Sequence, residues 1–111
     1  ENENRAAEII AAEMPDAYIS VSSRLLPQVR FYERTSTTVY NASVGPILRD
    51  YLNSLMKRLA QSRFAGILLI MQSNGGVTSP ENAMKIPAST LLSGPAAGPI
   101  AGTAYVALSD Y

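Results

Sequence analysis

The sequence contains no cysteine and no histidine. Without cysteine, disulfide bonds and thiolate metal sites are excluded, and the reducing cytoplasm is favoured as the location of the protein. Without histidine, the commonest general base and the commonest zinc ligand are both missing. This chain by itself therefore cannot build a Ser-His-Asp triad or a Cys-His nucleophile.

The sequence also lacks a charge bias and a long apolar run. Nine basic and nine acidic residues give a formal net charge of zero, so the composition predicts neither a nucleic acid nor an anionic membrane as a partner. No apolar run is long enough to cross a bilayer. With 111 residues, of which 47% are hydrophobic, the chain amounts to one globular domain.

The ends of the chain suggest a piece of a larger protein. The sequence opens at Glu1 without a methionine and stops at Tyr111, directly after an apolar helical pattern. An α/β unit cut at both ends leaves sheet edges and helix faces uncovered. We therefore expect the isolated chain to expose apolar surface and to self-associate.

Four segments are predicted to be helical. Residues 3–13 are rich in helix formers with one apolar side, and apolar residues recur on one helical face from about Pro46 to Ser62. The Gly45-Pro46 pair would kink or break a helix, so whether the second helix extends backwards stays open. A short helix follows Ser79 as its cap, and a helix of small residues follows Pro95.

Three segments are predicted to be strands. Ala17–Ser22 alternates and contains strand formers, Gly66–Met71 is an unbroken apolar run, and Ser89–Leu92 is a short run that ends in leucines. Because these segments alternate with helices, the pattern predicts a parallel sheet with right-handed crossovers.

Two stretches are candidates for ligand binding. The loop Gln72–Gly76 follows a predicted buried strand, where α/β proteins bind ligands, but Asn-Gly-Gly is equally a turn signal. Ser93 and Gly94 lie at the predicted corner before the last helix, where free amide groups would favour a phosphate or a carboxylate. Close packing of that helix is the alternative.

The segment from Ser23 to Thr38 lacks a sustained period and is predicted to be a connector. Its arginines lie beside a run of hydroxyl residues and could hold a phosphate or a carboxylate. Alternatively, these arginines pair with Glu33 or Asp50 on the surface. Asn41 follows as a polar residue in an apolar stretch, where a buried hydrogen-bonding role is the commoner explanation.

Three motifs in order carry a family resemblance. They are ERTSTTVYNASVGP at residues 33–46, LLIMQSNGG at 68–76 and LLSGPAAGPIAG at 91–102. Together they closely resemble the hydantoinase A and 5-oxoprolinase family, and the opening ENENRAAEII and AYISVSSRLLP resemble the helix and strand that precede these motifs. The resemblance covers nearly the whole chain.

The resemblance implies a fold and an activity. The fold would be an α/β part of an actin-like ATPase of the ribonuclease-H-like class, with a mixed or parallel sheet flanked by helices. Residues 1–34 would end the N-terminal region of the larger protein, and residues 35–111 would begin its hydantoinase A core. Members use ATP and a divalent cation, magnesium, to open cyclic amides such as hydantoins and 5-oxoproline.

The resemblance also suggests site residues. The cofactor-binding set would comprise Ser73, Asn74, Gly75, Gly76, Ser93 and Gly94. The substrate-binding set would comprise Arg34, Thr37 and Asn41. No catalytic residue and no metal ligand is assigned, because the family's two glycine- and aspartate-rich phosphate loops fall outside this sequence. Pro99 also departs from the family pattern, which usually has a smaller or β-branched residue there.

Several expectations follow for the function. ATP and magnesium would bind the larger protein and not this chain alone, which we expect to be inactive. Partners would be the rest of the larger chain and a hydantoinase B-type subunit, with no nucleic acid and no membrane. A subunit of an ATP-using acetone or acetophenone carboxylase and a non-catalytic α/β interaction module are the two alternatives.

Overall fold

The computed structural model describes residues 2–109. It is a helix-rich α/β structure with one small sheet of two strands. In chain order the elements are α1 (Asn2–Glu13), α2 (Ser22–Leu25), α3 (Phe31–Gln61), β1 (Ile70–Met71), β2 (Val77–Thr78), α4 (Pro80–Lys85), a 3-10 turn (Pro87–Thr90) and α5 (Ser93–Leu108).

Helix α3 is the axis of the molecule. Its 31 residues span roughly 46 Å at 1.5 Å per residue. The described part of the chain measures 57 × 39 × 19 Å and has a radius of gyration of 17.3 Å, whereas a compact domain of this length would have about 13 Å. The fold is therefore elongated, and much of its apolar surface stays uncovered.

Helix α3 passes through Gly45 and Pro46 without ending. The sequence left open whether this helix extends backwards through Gly45-Pro46, and it does extend back to Phe31. The prediction of a connector over residues 23–38 was therefore wrong for the part that is helical. Pro46 removes only one backbone hydrogen bond, to the carbonyl of Ala42. Packing on both sides of that point holds the helix together, because Asn41 and Leu52 are each 1% exposed.

Two of the predicted strands are not strands. Residues 17–21 form no helix and pair with no strand in the part of the chain that the structure describes, and Ser22 already begins α2. Ser89–Leu92 was also predicted wrongly, since residues up to Thr90 form the 3-10 turn. Ser89 Oγ donates to the Ile86 carbonyl over 2.7 Å, and such local side-chain bonds favour a turn over a strand.

The sheet is antiparallel, so the predicted parallel arrangement was wrong. Of the predicted strand Gly66–Met71, only Ile70–Met71 is paired, and its partner is Val77–Thr78 in the register Ile70 to Thr78 and Met71 to Val77. The chain reverses at once because Gly75 adopts a φ of +82°, which glycine reaches without strain.

The remaining helix predictions are confirmed. Helix α1 coincides closely with the predicted residues 3–13. Helix α4 begins after Ser79, whose Oγ accepts from the Asn82 amide over 3.3 Å. The small-residue helix is α5, which contains Pro99 in its interior. Within residues 2–109, no helix is both long and apolar enough for a membrane span.

The core is small. The buried hydrophobic residues among those described are Val21, Leu52 and Ala83, and Asn41 is the buried polar one. Helix α5 buries none of its residues although it is mostly apolar. This distribution agrees with the expectation of exposed apolar surface, while self-association stays a prediction.

The C-terminus of α3 offers a stability test. Arg63 has a φ of 54°, and the bonds from Arg63 N to Ala60 O and from Phe64 N to Leu59 O form the Schellman motif that glycine favours. We expect Arg63→Gly to stabilise the fold by up to about 1 kcal/mol, because the left-handed conformation strains any residue with a Cβ. Urea unfolding measures the change. Arg58→Gly, inside the helix, should instead destabilise by about 1 kcal/mol; equal effects of both variants would refute the assignment.

Candidate functional site

Asn41 is the buried polar centre of the molecule. Its Nδ2 donates to Ser20 Oγ over 2.9 Å and to the Lys85 carbonyl over 3.5 Å. Its Oδ1 accepts from the Ala88 amide over 3.1 Å. The Asn41 side chain thereby connects α3 to the segment 17–21 and to the corner that follows α4. Both ends of the Asn41 amide are in use within the fold.

Tyr18, in the segment 17–21, also packs in this region. Its ring lies against Gly45, and its hydroxyl donates to the Met84 carbonyl over 2.7 Å. The Arg49 guanidinium lies 5.9 Å from the ring centroid, within cation-π range. Burial raises the pKa of the Tyr18 hydroxyl above its usual 10, while hydrogen bonding with Asn41 and the Arg49 charge oppose that rise. The phenol is therefore neutral at physiological pH.

A cleft of about 390 Å³ opens beside these residues. Its lining includes Tyr18, Ser20, Arg24, Asn41 and Lys85. The polar atoms of Tyr18, Ser20 and Asn41 are engaged by the fold, and Arg24 Nε donates to Asn4 Oδ1 over 2.9 Å. The cleft lining is thus mainly apolar and includes two basic residues, Arg24 and Lys85.

Arg34 is engaged with the N-terminal helix. Its Nη2 lies 2.9 Å from Glu3 Oε1 and 2.6 Å from Ser22 Oγ, and its side chain is 28% exposed. The sequence had offered Glu33 or Asp50 as partners of the arginines. Glu33 does lie 3.6 Å from Arg30, but the partner of Arg34 comes from α1, far along the chain.

Glu3 is the anchor of this second cluster. Its Oε2 accepts from the Ser23 amide over 3.0 Å, and its Oε1 accepts from Ser22 Oγ over 2.8 Å. These hydrogen bonds, with a smaller contribution from the Arg34 charge, lower the pKa of the Glu3 carboxyl from 4.5 to about 2. The carboxylate caps α2 and ties α1 to α3.

The lowered pKa predicts a pH dependence of stability. A carboxyl whose folded pKa is depressed stabilises the fold above its unfolded value, and this contribution disappears as the pH falls through the folded pKa. We expect Glu3→Gln to reduce the free energy of unfolding at pH 6, and the difference from wild type to shrink between about pH 4.5 and 2. Urea unfolding at several pH values measures this. Glu8→Gln is the matched control on α1, and a pH-independent Glu3→Gln effect would contradict the prediction.

The three predicted substrate residues lie on α3, but they do not form one open pocket. Arg34 pairs with Glu3, and Asn41 is buried. Thr37, which lies between them in the sequence, is half-buried. Spacings of three, four and seven residues place them on one side of the helix. That side packs against α1, α2 and the segment 17–21, so Arg34 and Asn41 serve the fold at this surface.

The predicted cofactor loop Gln72–Gly76 is internally bonded. The Gly75 amide donates to the Gln72 carbonyl over 3.0 Å, and the Gly76 amide donates to Asn74 Oδ1 over 2.8 Å. The Ser73 amide donates to the Ser89 carbonyl over 2.7 Å. The Gln72 amide donates to the Gly76 carbonyl over 2.8 Å. Four of the loop's five amide groups are therefore unavailable to a phosphate, and the loop forms the tight turn that the sequence also allowed.

Ser93 and Gly94 begin α5, as predicted. Leu92 precedes them with a φ of 59°, the left-handed conformation that is rare for leucine. No atom lies within 4 Å of the position that a Cβ would take at Gly94. The space beside Gly94 is therefore open. The first amides of a helix have no partner within the helix, and amides in that position favour an anion.

The loop and the start of α5 are not in direct contact through any hydrogen bond between described residues. Gly75 instead faces the side chain of Ile100, roughly 10 Å along α5 from Ser93 at 1.5 Å per residue. The loop is connected to Asn41, however. Ala88 donates to Asn41 and the adjacent Ser89 accepts from the loop.

Among the residues that the structure describes, the acidic side chains form no cluster that fits a magnesium ion. Over residues 2–109, no cluster of three or more acidic side chains could hold a metal. The amides at the start of α5 fit an anionic group such as a phosphate, whereas the loop amides are already paired.

Sequence reasoning missed several residues that build this region, namely Glu3, Tyr18, Ser20 and Ser89. Gly45 carried a usable signal, because glycine inside a helical pattern destabilises the helix and often marks a close approach by another group. That group is Tyr18. The role of Glu3 had no local signal, since its partners lie 19 to 31 residues away.

Known proteins resemble the chain over most of its length. It is 39% identical over 100 residues to an uncharacterised protein of Methanocaldococcus jannaschii, which covers 90% of this chain and 15% of that protein. It is 32% identical to caprolactamase subunit alpha of Pseudomonas jessenii, covering 91% and 14%, and 33% identical to 5-oxoprolinase of Saccharomyces cerevisiae, covering 82% and 7%. The chain thus spans less than a sixth of the length of these relatives. No solved structure matches it significantly.

A family model agrees with these relatives. The model described as Hydantoinase/oxoprolinase matches residues 34–110. That range includes most of α3, the hairpin, the 3-10 turn and α5. The match extends over more than half of the chain and includes the three motifs named above, except for Glu33 at the start of the first. The chain therefore belongs to the hydantoinase/oxoprolinase family.

Proposed function

We propose that these residues belong to an ATP-dependent hydrolase of cyclic amides, of the hydantoin or 5-oxoproline type, and that they supply scaffold and one wall of its interdomain cleft. The observation that carries the proposal is family membership together with two relatives named for caprolactam and 5-oxoproline. Both compounds are cyclic amides. The proposed actin-like architecture would belong to the larger protein.

The chemistry explains why ATP would be needed. An amide carbonyl is a poor electrophile, and a phosphoryl group on its oxygen makes the carbon reactive toward water. ATP would supply that group when bound. The contribution of this chain would be the open start of α5, where Ser93 and Gly94 present amides to an anion.

The paired loop amides support a role for the hairpin other than phosphate binding. Ser73, Asn74, Gly75 and Gly76 would form a rigid wall beside the nucleotide and would not cradle its phosphates, because three of their amides are bonded within the fold. Catalytic residues and magnesium ligands would come from other parts of the larger protein. The name caprolactamase subunit alpha indicates a further subunit in that relative, and a hydantoinase B-type subunit would be the partner of the larger protein here.

The test uses the full-length protein that carries these residues. Hydantoin, 5-oxoproline and caprolactam are offered with and without ATP, and the ring-opened product and ADP are quantified. We expect ring opening only with ATP and none with the 111-residue chain alone. Turnover by that chain alone, or ring opening without ATP, would refute the proposal; ATP use with a ketone and bicarbonate would favour a carboxylase subunit.

Two glycines of α5 test the role of its N-terminus. At both Gly94 and Gly98 the space that a Cβ would occupy is free of other atoms to a distance of 4 Å, so alanine fits at either position. We expect Gly94→Ala to raise the KM for ATP about tenfold, because the methyl group blocks close approach of an anion to the backbone. Gly98→Ala, one turn further along, should leave the KM unchanged. Equal KM values in the two variants would remove α5 from the nucleotide site.

A further inference from the structure

We infer that Asn41 is a positioning residue for the loop Gln72–Gly76 and that it acts through the 3-10 turn Pro87–Thr90. The structural half of this inference depends only on contacts between described residues. The half that concerns activity rests on the proposed function of the loop as a wall of the nucleotide site.

The first link joins Asn41 to the turn. The Ala88 amide donates to Asn41 Oδ1 over 3.1 Å, while Asn41 Nδ2 donates to the Lys85 carbonyl over 3.5 Å. The side chain amide therefore contacts the backbone on both sides of the corner. Because Asn41 is 1% exposed, water cannot readily replace these bonds if they break. The corner is thus fixed relative to α3.

The second link joins the turn to the loop. Ser89, the residue after Ala88, accepts from the Ser73 amide at its carbonyl over 2.7 Å. The Gln72 side chain donates to Ser89 Oγ over 3.3 Å. Ser89 Oγ in turn donates to the Ile86 carbonyl over 2.7 Å, which makes the turn rigid. A shift of Ala88 therefore moves Ser89 and with it the start of the loop.

This arrangement gives Asn41 a role other than substrate contact. Its amide is paired with Ser20, Lys85 and Ala88 and is closed to solvent, so it has little capacity left for a ligand. Asn41 is connected to the loop only indirectly, through its hydrogen bond with Ala88 and the hydrogen bond between Ser89 and Ser73. Asn41 thus sets where the loop lies without touching what the loop contacts.

The wild-type protein provides the first test. Hydrogen exchange followed by mass spectrometry in low denaturant compares the peptide covering residues 72–76 with that covering 87–90. We expect both to exchange with the same opening equilibrium and the same denaturant dependence, because one bond network holds them. Exchange of the loop at least tenfold faster than that of the turn would overturn the inference, and this comparison needs no variant.

A matched pair of variants provides the second test. Asn41→Ala removes the link to the turn, whereas Leu52→Ala destabilises the same helix at a residue that is equally buried. We expect Asn41→Ala to speed exchange of residues 72–76 at least tenfold more than that of residues 2–13, and Leu52→Ala to affect both alike. A uniform effect of Asn41→Ala would show a merely structural role and would overturn the inference.

The activity readout separates this inference from the proposed function. In the full-length protein, Asn41→Ala should raise the KM for ATP about tenfold, whereas Leu52→Ala should not. If the exchange results hold and the KM for ATP does not change, the positioning role stands and the proposed nucleotide role of the loop fails. If ATP is used but exchange is uniform in Asn41→Ala, the proposed function stands and the positioning role fails.

Discussion

Replacing Asn41 with leucine is expected to destabilise the fold by about 3 kcal/mol. Leucine has as many side-chain heavy atoms as asparagine, with the same branch point, but cannot hydrogen-bond, so the Ala88 amide, the Lys85 carbonyl and Ser20 Oγ would all lose their partner. Each buried polar group left unpaired costs about 1 to 3 kcal/mol. The hydroxyl of Ser20 is able to rotate toward another acceptor, which keeps the expected sum at the lower end.

The measurement is urea unfolding of Asn41→Leu beside a control on the same helix. Asn53 also lies in α3, but its side chain is exposed and it has no hydrogen bond to another element in the described structure. Asn53→Leu should therefore change the free energy of unfolding by less than about 0.5 kcal/mol. Similar losses in both variants would mean that helix propensity, and not the buried amide, determines the effect.

The second large effect is expected at Gly45. A Cβ at this position would overlap the Tyr18 ring, so Gly45→Ala should displace the ring, break its hydroxyl bond to the Met84 carbonyl and remove the Arg49 contact. We expect a loss of about 2 kcal/mol in stability. This result is opposite to the usual gain when alanine replaces glycine inside a helix.

A double-mutant cycle identifies the cause. Once Tyr18→Ala has removed the ring, Gly45→Ala should cost less than about 0.5 kcal/mol, because the gain in helix propensity offsets the clash of the new methyl group with Pro46. The coupling energy is thus about 2 kcal/mol. Gly98→Ala in α5, where no atom is near, is the control. A coupling energy near zero would show that Tyr18 and Gly45 do not depend on each other.

Both predictions concern one small region. With few buried apolar residues in residues 2–109, the bonds of Asn41 and the packing of Tyr18 on α3 provide much of the order between distant segments. Such a fold is sensitive to single changes, because little apolar burial is available to compensate. Helices α3 and α5 have exposed apolar faces. Such faces are consistent with a chain that spans less than a sixth of the length of these relatives.

The local elements were the most predictable part of the fold. Helices α1, α4 and α5 follow from helix formers, the Ser79 cap and the glycine and alanine content, all of which act within a few residues. The hairpin turn was one of the two interpretations of Asn74-Gly75-Gly76. The strands were less predictable, because a strand exists only when another segment pairs with it.

Only part of the local environment of the candidate residues was predictable from the sequence. Ser93 and Gly94 do begin a helix, and a buried hydrogen-bonding role was the commoner explanation offered for Asn41. Arg34 was expected to bind a ligand or a nearby carboxylate, but its partner is Glu3. Pairings between side chains that lie tens of residues apart leave no trace in a single sequence.

The sequence by itself determined the family, helices α1, α4 and α5 and the absence of cysteine and histidine chemistry, since motifs, caps and composition are local properties of the chain. Tertiary structure alone decided that α3 runs through Pro46, that the paired strands are antiparallel and that Asn41 connects α3 to the turn before α5. The physical reason is that these outcomes depend on contacts between distant segments. Their free energies outweigh local preference only after the chain has folded.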